Sequence, residues 1–226
     1  MVMTFFRRGD GDSGLDLITA RTVSMVSDAR HSFDMASTAL LSGADLDTVG
    51  EDVRRTDARI NAAEQELRGQ LVVHVSVQGS GDIGEVLGLI LLIKKIERIG
   101  DQSKNILYLA EDGADLSNAE DLDLLIGYRR TISEMLGEAA DVLAQADEVG
   151  AASLRERCKA FQEELTGHIR DLMHSEQPGH EVVPRAILFR YWKRIVANLG
   201  GVVTTATEPL QNQDYLDGGA TDITDD

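Results

Sequence analysis

Apolar residues recur along most of this chain at intervals of three and four, the spacing of one helix face. Over residues 15–41 the stripe is Leu17, Ile18, Val23, Met25, Val26, Phe33, Met35 and Leu40, and residues 42–45 (Ser-Gly-Ala-Asp) stop it and cap the next helix. Over residues 46–77, Val53, Ile60, Leu67 and Leu71 fall within one sector at about 100° per residue. The end of that stretch, "LVVHVSVQ", is β-branched but reads as the last turns of the same helix. Leu89, Leu92, Ile93, Ile96, Ile99, Ile106, Leu107 and Ala110 carry a third helix. Residues 113–121 break the chain near its midpoint. A fourth helix over 122–146 shows Leu125, Ile132, Leu136 and Leu143 on one side. After the interruption "DEVG", a fifth runs over 152–173 and a sixth from about Val182 to Thr207, where Pro209 stops it.

Between the second and third helices lies "QGSGDIGEV", with Gly79, Gly81 and Gly84 in the GxGxxG order of a dinucleotide-binding turn and Asp101 further on. A dinucleotide fold needs a second strand after the helix, ending in the acid. Here a helical period runs straight through Asp101, and no other strand–turn–helix unit follows. The loop therefore reads as a helix–helix connection, with Asp82 as N-cap, Glu85 completing a capping box, and no affinity for NAD. Six helices of this length with short links predict an all-α protein of two up-down three-helix bundles. The expected divisions are an arm at 1–14, a first bundle at 15–116, a second at 117–208 and an acidic, disordered tail at 209–226.

Weak self-similarity relates the halves. "TDARINAAEQEL" aligns with "LRERCKAFQEEL", and "IKKIERIGDQSKNI" with "FRYWKRIVANLGGV". In that alignment Asp57 matches Arg155, Ile60 matches Cys158, Glu97 matches Lys193 and Asp101 matches Ala197. The first half keeps its acids and the second has lost them, so the second repeat is degenerate.

Composition agrees with helices: three prolines and 4% aromatic residues in 226. The formal net charge of −17 disfavours nucleic acid and anionic lipid as partners. The longest apolar run, residues 86–93, is too short to span a bilayer, and the chain start does not read as a signal peptide, so a cytoplasmic protein is expected. The single cysteine, Cys158, sits in a helical pattern and reads as a packing residue.

Glu97 and Asp101 lie one turn apart on the third helix, with Asn105 one turn beyond. Carboxylates at this spacing can hold a divalent metal or iron, and Asp57 is the partner if the second helix packs alongside; Asn61 and Glu64 share its side. The plainer reading is a solvated face whose exposed carboxylates cost the fold little to remove, since Glu111 and Asp115 show the same spacing in a chain with 39 acids. The histidines have no clustered acids at ligand spacing, and the closeness of His31 to Asp34 reads as coincidence. Lys193 stands where the first half has Glu97, so at most one metal site, in the first repeat, is expected. Arg185, Arg190, Lys193 and Arg194 cluster on the sixth helix around the only tryptophan, Trp192. Two accounts compete for them. They neutralise acids across the bundle, or Arg190, Lys193 and Arg194 form a docking surface for an acidic region of a partner.

"IERIGDQSKNI", together with Asp57 and Asn61 in "DARIN", resembles the signature of the PhoU family, regulators of phosphate uptake and signalling. The resemblance extends over residues 15–208, with ERIGD its specific part. It implies a cytoplasmic, non-enzymatic protein that contacts phosphate transporter subunits, a sensor histidine kinase, or both, and it is compatible with a homodimer. It also implies metal ligation by Glu97, Asp101 and Asp57. Tyr108 replaces an acid usual in the family, and the second repeat lacks the paired acids. "FFRRGD" near the start is similar to a relative of PhoU that accompanies low-affinity phosphate transporters. Three alternatives stay open: a metal-binding adaptor of such a transporter, a metal-dependent enzyme using Glu97 and Asp101, and a purely structural helical adaptor.

Overall fold

The first helix, α1 (Ser13–Ser42), buries Ile18, Thr22, Met25, Ala29, Phe33, Ala36 and Leu40, a run of threes and fours that turns one stripe inward from Ile18 to Leu40. The computed structural model describes residues 13–79, 81 and 83–208, and the side chains from residue 17 onward. Gly43, at φ +62°, ends α1, and Asp45 caps α2 (Leu46–Gln78) by accepting from the Thr48 N–H at 3.2 Å. The β-branched end of α2 stays helical to Gln78, as its place in the stripe predicts. Gly79, at φ +85°, closes it and donates its N–H to the Val75 carbonyl at 3.0 Å.

Next come α3 (Ile83–Glu111), α4 (Leu122–Gln145), α5 (Glu148–Met173) and α6 (Gly179–Thr207). The described residues contain these six helices, so the all-α expectation is met. The glycine loop joins two helices and no strand flanks it among the described residues. The expected N-cap Asp82 lies outside the described residues, as do the expected tail at 209–226 and most of the arm.

Two boundaries differ from the pattern. The fifth helix begins a turn earlier than expected, because Asp147 accepts from the N–H groups of Val149 and Gly150 and caps "EVGA" into the helix. The sixth begins at Gly179, five residues ahead of Pro184, which lies inside the helix and has no N–H to offer the His180 carbonyl one turn back.

Helices α3 and α6 are the central pair. The first touches α1, α2 and α6, and the second packs along both α3 and α5. Both are accordingly apolar on more than one side; Ile96, Ile99 and Leu92 of α3 and Trp192, Ile195 and Leu199 of α6 are fully buried. Helix α4 lies chiefly against α1, with lighter contact to α5 and α6. The two sets of three thus meet along α3–α6 and α1–α4, and their apolar side chains form one continuous core.

Candidate functional site

Close approach of α2 and α3 is what brings the predicted acids together. Gly100 has no side chain, and Ile60 of α2 fills the space; a Cβ on Gly100 would lie 3.0 Å from the Ile60 Cδ1. Beside this contact stand Asp57 and Glu64 of α2 and Glu97 and Asp101 of α3. Asp57, Glu64 and Glu97 are buried, at 8%, 7% and 8% exposure.

This corrects the expectation of a solvated carboxylate face: three of the four acids sit in the helix–helix seam, each with a cation. Lys94 Nζ lies 2.7 Å from Glu97 Oε2 and 3.6 Å from Glu64 Oε1. Lys104 Nζ lies 2.7 Å from Asp57 Oδ2 and 3.6 Å from Asp101 Oδ1. Arg68 adds a contact to Glu64 at 2.9 Å, and Asn61 donates to Asp57 at 3.3 Å. Each lysine is on α3, three residues from an acid of its own helix, and reaches across to an acid of α2. Burial pushes the Glu97 carboxyl above its ordinary value, outweighing the pull of Lys94. The ammonium of Lys94 is itself held above its ordinary value by Glu97.

Asn105 is half-buried one turn beyond Asp101, and its side chain makes no hydrogen bond to these acids. The sequence pattern located the carboxylates but not the lysines. The signal was there: positions 94 and 104 flank the Glu97–Asp101 pair at three residues on either side.

A resident metal does not fit this arrangement. The ligands implied for it, Glu97, Asp101 and Asp57, are each within ion-pair distance of a lysine. Among the described residues, no three His, Cys, Asp or Glu side chains converge as a metal site requires.

In the second half the matching positions are basic or neutral. Arg155 pairs with Glu208, and Cys158 is buried against Gly200, its thiol pushed up to about 12 by desolvation. Cys158 is thus the inert packing residue expected. On α6 the basic cluster divides. Arg185 is buried and internal, donating to Gln177 at 2.8 Å and to the Glu181 carbonyl at 2.9 Å, with Asp121 at 3.4 Å. Arg190 and Arg194 are exposed and Lys193 half-buried, and none of the three forms an ion pair among the described residues. The neutralisation account therefore holds for Arg185, while the other three meet no acid at ion-pair distance among the described residues. Trp192 faces inward at 0% exposure, so it belongs to the core and not to a docking surface.

Two polar contacts escaped the sequence pattern. His31 pairs with Asp52 of α2, not with its near neighbour Asp34. The Tyr128 hydroxyl meets both Glu164 and, at 2.8 Å, His168 Nε2, inside an aromatic group with Phe161 and Phe189. Residues 40 apart in sequence meet there, which no local spacing could reveal.

A family model described as the PhoU domain matches residues 22–110, which spans α1 to α3 almost entirely. Curated proteins include no match. A crystal structure of PhoU from Pseudomonas aeruginosa superposes with a TM-score of 0.75 at 20% identity, covering 86% of this chain and 96% of that one. The family-model match thus falls on the first three helices, while the structural likeness continues through the second three. Residues 22–110 match the model of the PhoU domain, and the chain shares the fold of that PhoU structure across most of its length.

Proposed function

We propose that this protein is a cytoplasmic, non-catalytic regulator of phosphate transport and phosphate-dependent signalling, acting by contact with phosphate transporter subunits, a sensor histidine kinase, or both. The observation that carries this reading is the match of residues 22–110 to the PhoU domain model within a chain that shares the PhoU fold. The chemistry of the chain supports contact over catalysis. Its most conspicuous acids, Glu97 and Asp57, are committed to lysines inside a helix seam, which counts against a metal-dependent enzyme built on them. No helix among the described residues is long and apolar enough to cross a membrane.

The partner surface that fits best is the exposed edge of α6, where Arg190 and Arg194, with Lys193 beside them, present positive charge on a chain of net charge −17. Unpaired cations in that setting suit an acidic region of a partner. The test is capture by the tagged full chain of the phosphate transporter subunits and phosphate-responsive histidine kinases of its own organism. Retention of either supports the regulator. Retention of a low-affinity phosphate permease alone moves the reading to that transporter's adaptor, and retention of none sinks both. Light scattering on the same preparation reads whether the binding unit is a homodimer.

A further inference from the structure

The acid seam between α2 and α3 brings four carboxylates, Asp57, Glu64, Glu97 and Asp101, to one stretch of a helix–helix contact. Left alone, buried like charges would push the helices apart. Three cations of the same chain meet them there: Lys94, Lys104 and Arg68. We infer that Lys94 and Lys104 are the resident cations of this seam, clipping α2 to α3 in the role that a metal ion would otherwise take, and that the protein folds and works without a metal there.

The geometry is specific. Each ammonium is shared between one acid of α3 and one of α2, so each closes a bridge across the seam. The close contacts go once to α3 (Lys94 to Glu97, 2.7 Å) and once to α2 (Lys104 to Asp57, 2.7 Å), with the longer arms at 3.6 Å completing the crossing. The two lysines bracket Gly100, where Ile60 already holds the helices close. Three positive charges against four negative leave little surplus to attract a cation. An incoming metal ion would have to displace both ammonium groups from carboxylates they already satisfy, and two like charges cannot share such a site in low dielectric. Lysine also suits the position sterically. Its aliphatic stem can be buried beside apolar residues while the charged end reaches the acids, and the Lys104 side chain is only 22% exposed.

This role for the lysines belongs to the fold and holds whichever partner the protein binds. Wild-type full-length protein is dialysed against MnCl2, ZnCl2 or FeCl3, desalted, and assayed for bound metal and melting temperature. Its K94M/K104M variant, which keeps the apolar stems and loses the charges, is treated in parallel. Wild type is expected to retain only substoichiometric metal and to melt at the same temperature with metal, without it and after EDTA. K94M/K104M is expected to melt lower and to regain stability when metal is added. A wild-type protein that holds an equivalent of metal and melts higher with it overturns the inference, and so does a K94M/K104M protein that melts like wild type. Should the double variant not fold, K104M alone carries the same comparison, because Lys104 bridges Asp57 and Asp101 by itself.

Discussion

A single missing Cβ decides how closely α2 and α3 approach, and the effect of replacing glycine differs with what surrounds it. Gly100 faces Ile60 at 0% exposure, so Gly100→Ala must move a packed side chain. The helix-propensity gain of about 1 kcal/mol is outweighed by overpacking of about 1–3 kcal/mol, and the variant should unfold at lower urea. At Gly127 of α4 and Gly167 of α5 a Cβ would meet nothing within 4 Å, so Gly127→Ala and Gly167→Ala should each raise stability by about 0.5–1 kcal/mol. Another residue-scale effect follows from Asp52. Its hydrogen bond to His31, which ties α2 to α1, holds the carboxyl below its ordinary 3.8, with Arg55 contributing. An acid with a depressed folded value stabilises the fold above its unfolded value, and that stability is lost as pH falls through the folded one. Asp52→Asn should therefore cost about 0.5–1 kcal/mol near neutrality, a small figure because the pair is partly solvated. Thermal melts of variant and wild type should converge in acid below the ordinary carboxylate range. A difference that persists there would show the Asp52 effect to be steric.

Helices were the most legible level, and the reasons are local. The stripe from Val53 through Ile60 to Leu71 is set by burial of one side of α2 against α1 and α3, and the structure keeps it intact. The same logic dismissed the glycine loop as a nucleotide site, since α3 runs through Asp101 without a break. Legibility failed where a contact crossed between helices. The carboxylates Glu97 and Asp101 were visible as a pair one turn apart, but their burial depends on α2 docking alongside, and the lysines that answer them count only once that docking is known. Tyr128 and His168 meet for the same nonlocal reason. The early start of α5 was legible in principle: Asp147 precedes the helix as a capping acid should, yet Gly150 made "DEVG" look like a break. Since Asp147 accepts from two N–H groups, at 3.1 and 3.0 Å, Asp147→Ala should destabilise by about 1 kcal/mol. Hydrogen exchange should speed up at Val149 and Gly150 first. Uniform loss of protection along α5, with those two amides no worse than the rest, would mean that the cap adds nothing local.

At the scale of the whole molecule, acids outnumber bases by 39 to 22, and among the described residues several of the cations have no ion pair. Most arginines are spoken for: Arg54 by Glu111, Arg59 by Asp28, Arg129 by Asp34 and Arg157 by Glu138. Arg98, Arg130, Arg170, Arg190 and Arg194 break that habit, exposed without an ion pair among the described residues, and of these Arg190 and Arg194 stand one turn apart on α6 with Lys193 beside them. A cation with no internal partner adds little to the fold, so reversing it should leave stability within about 0.5 kcal/mol. Its contribution to association is larger, because a local positive edge on a negative body both steers an acidic partner and orients it. The double variant R190E/R194E should therefore melt like wild type and fail to retain the partner captured by wild type. The control is Arg185, which is buried and hydrogen-bonded within the chain. Arg185→Ala strands Asp121 and Gln177 and should lower the melting temperature, with binding affected only through folding. Salt gives an independent reading of the same contact: raising ionic strength shortens the Debye length from about 10 Å at 0.1 M to about 3 Å at 1 M. Wild-type binding should weaken steeply over that range, and residual R190E/R194E binding much less. If R190E/R194E binds its partner as tightly as wild type, the docking edge lies elsewhere on the molecule. If it melts lower instead, these arginines hold the bundle together by contacts that their exposure does not suggest.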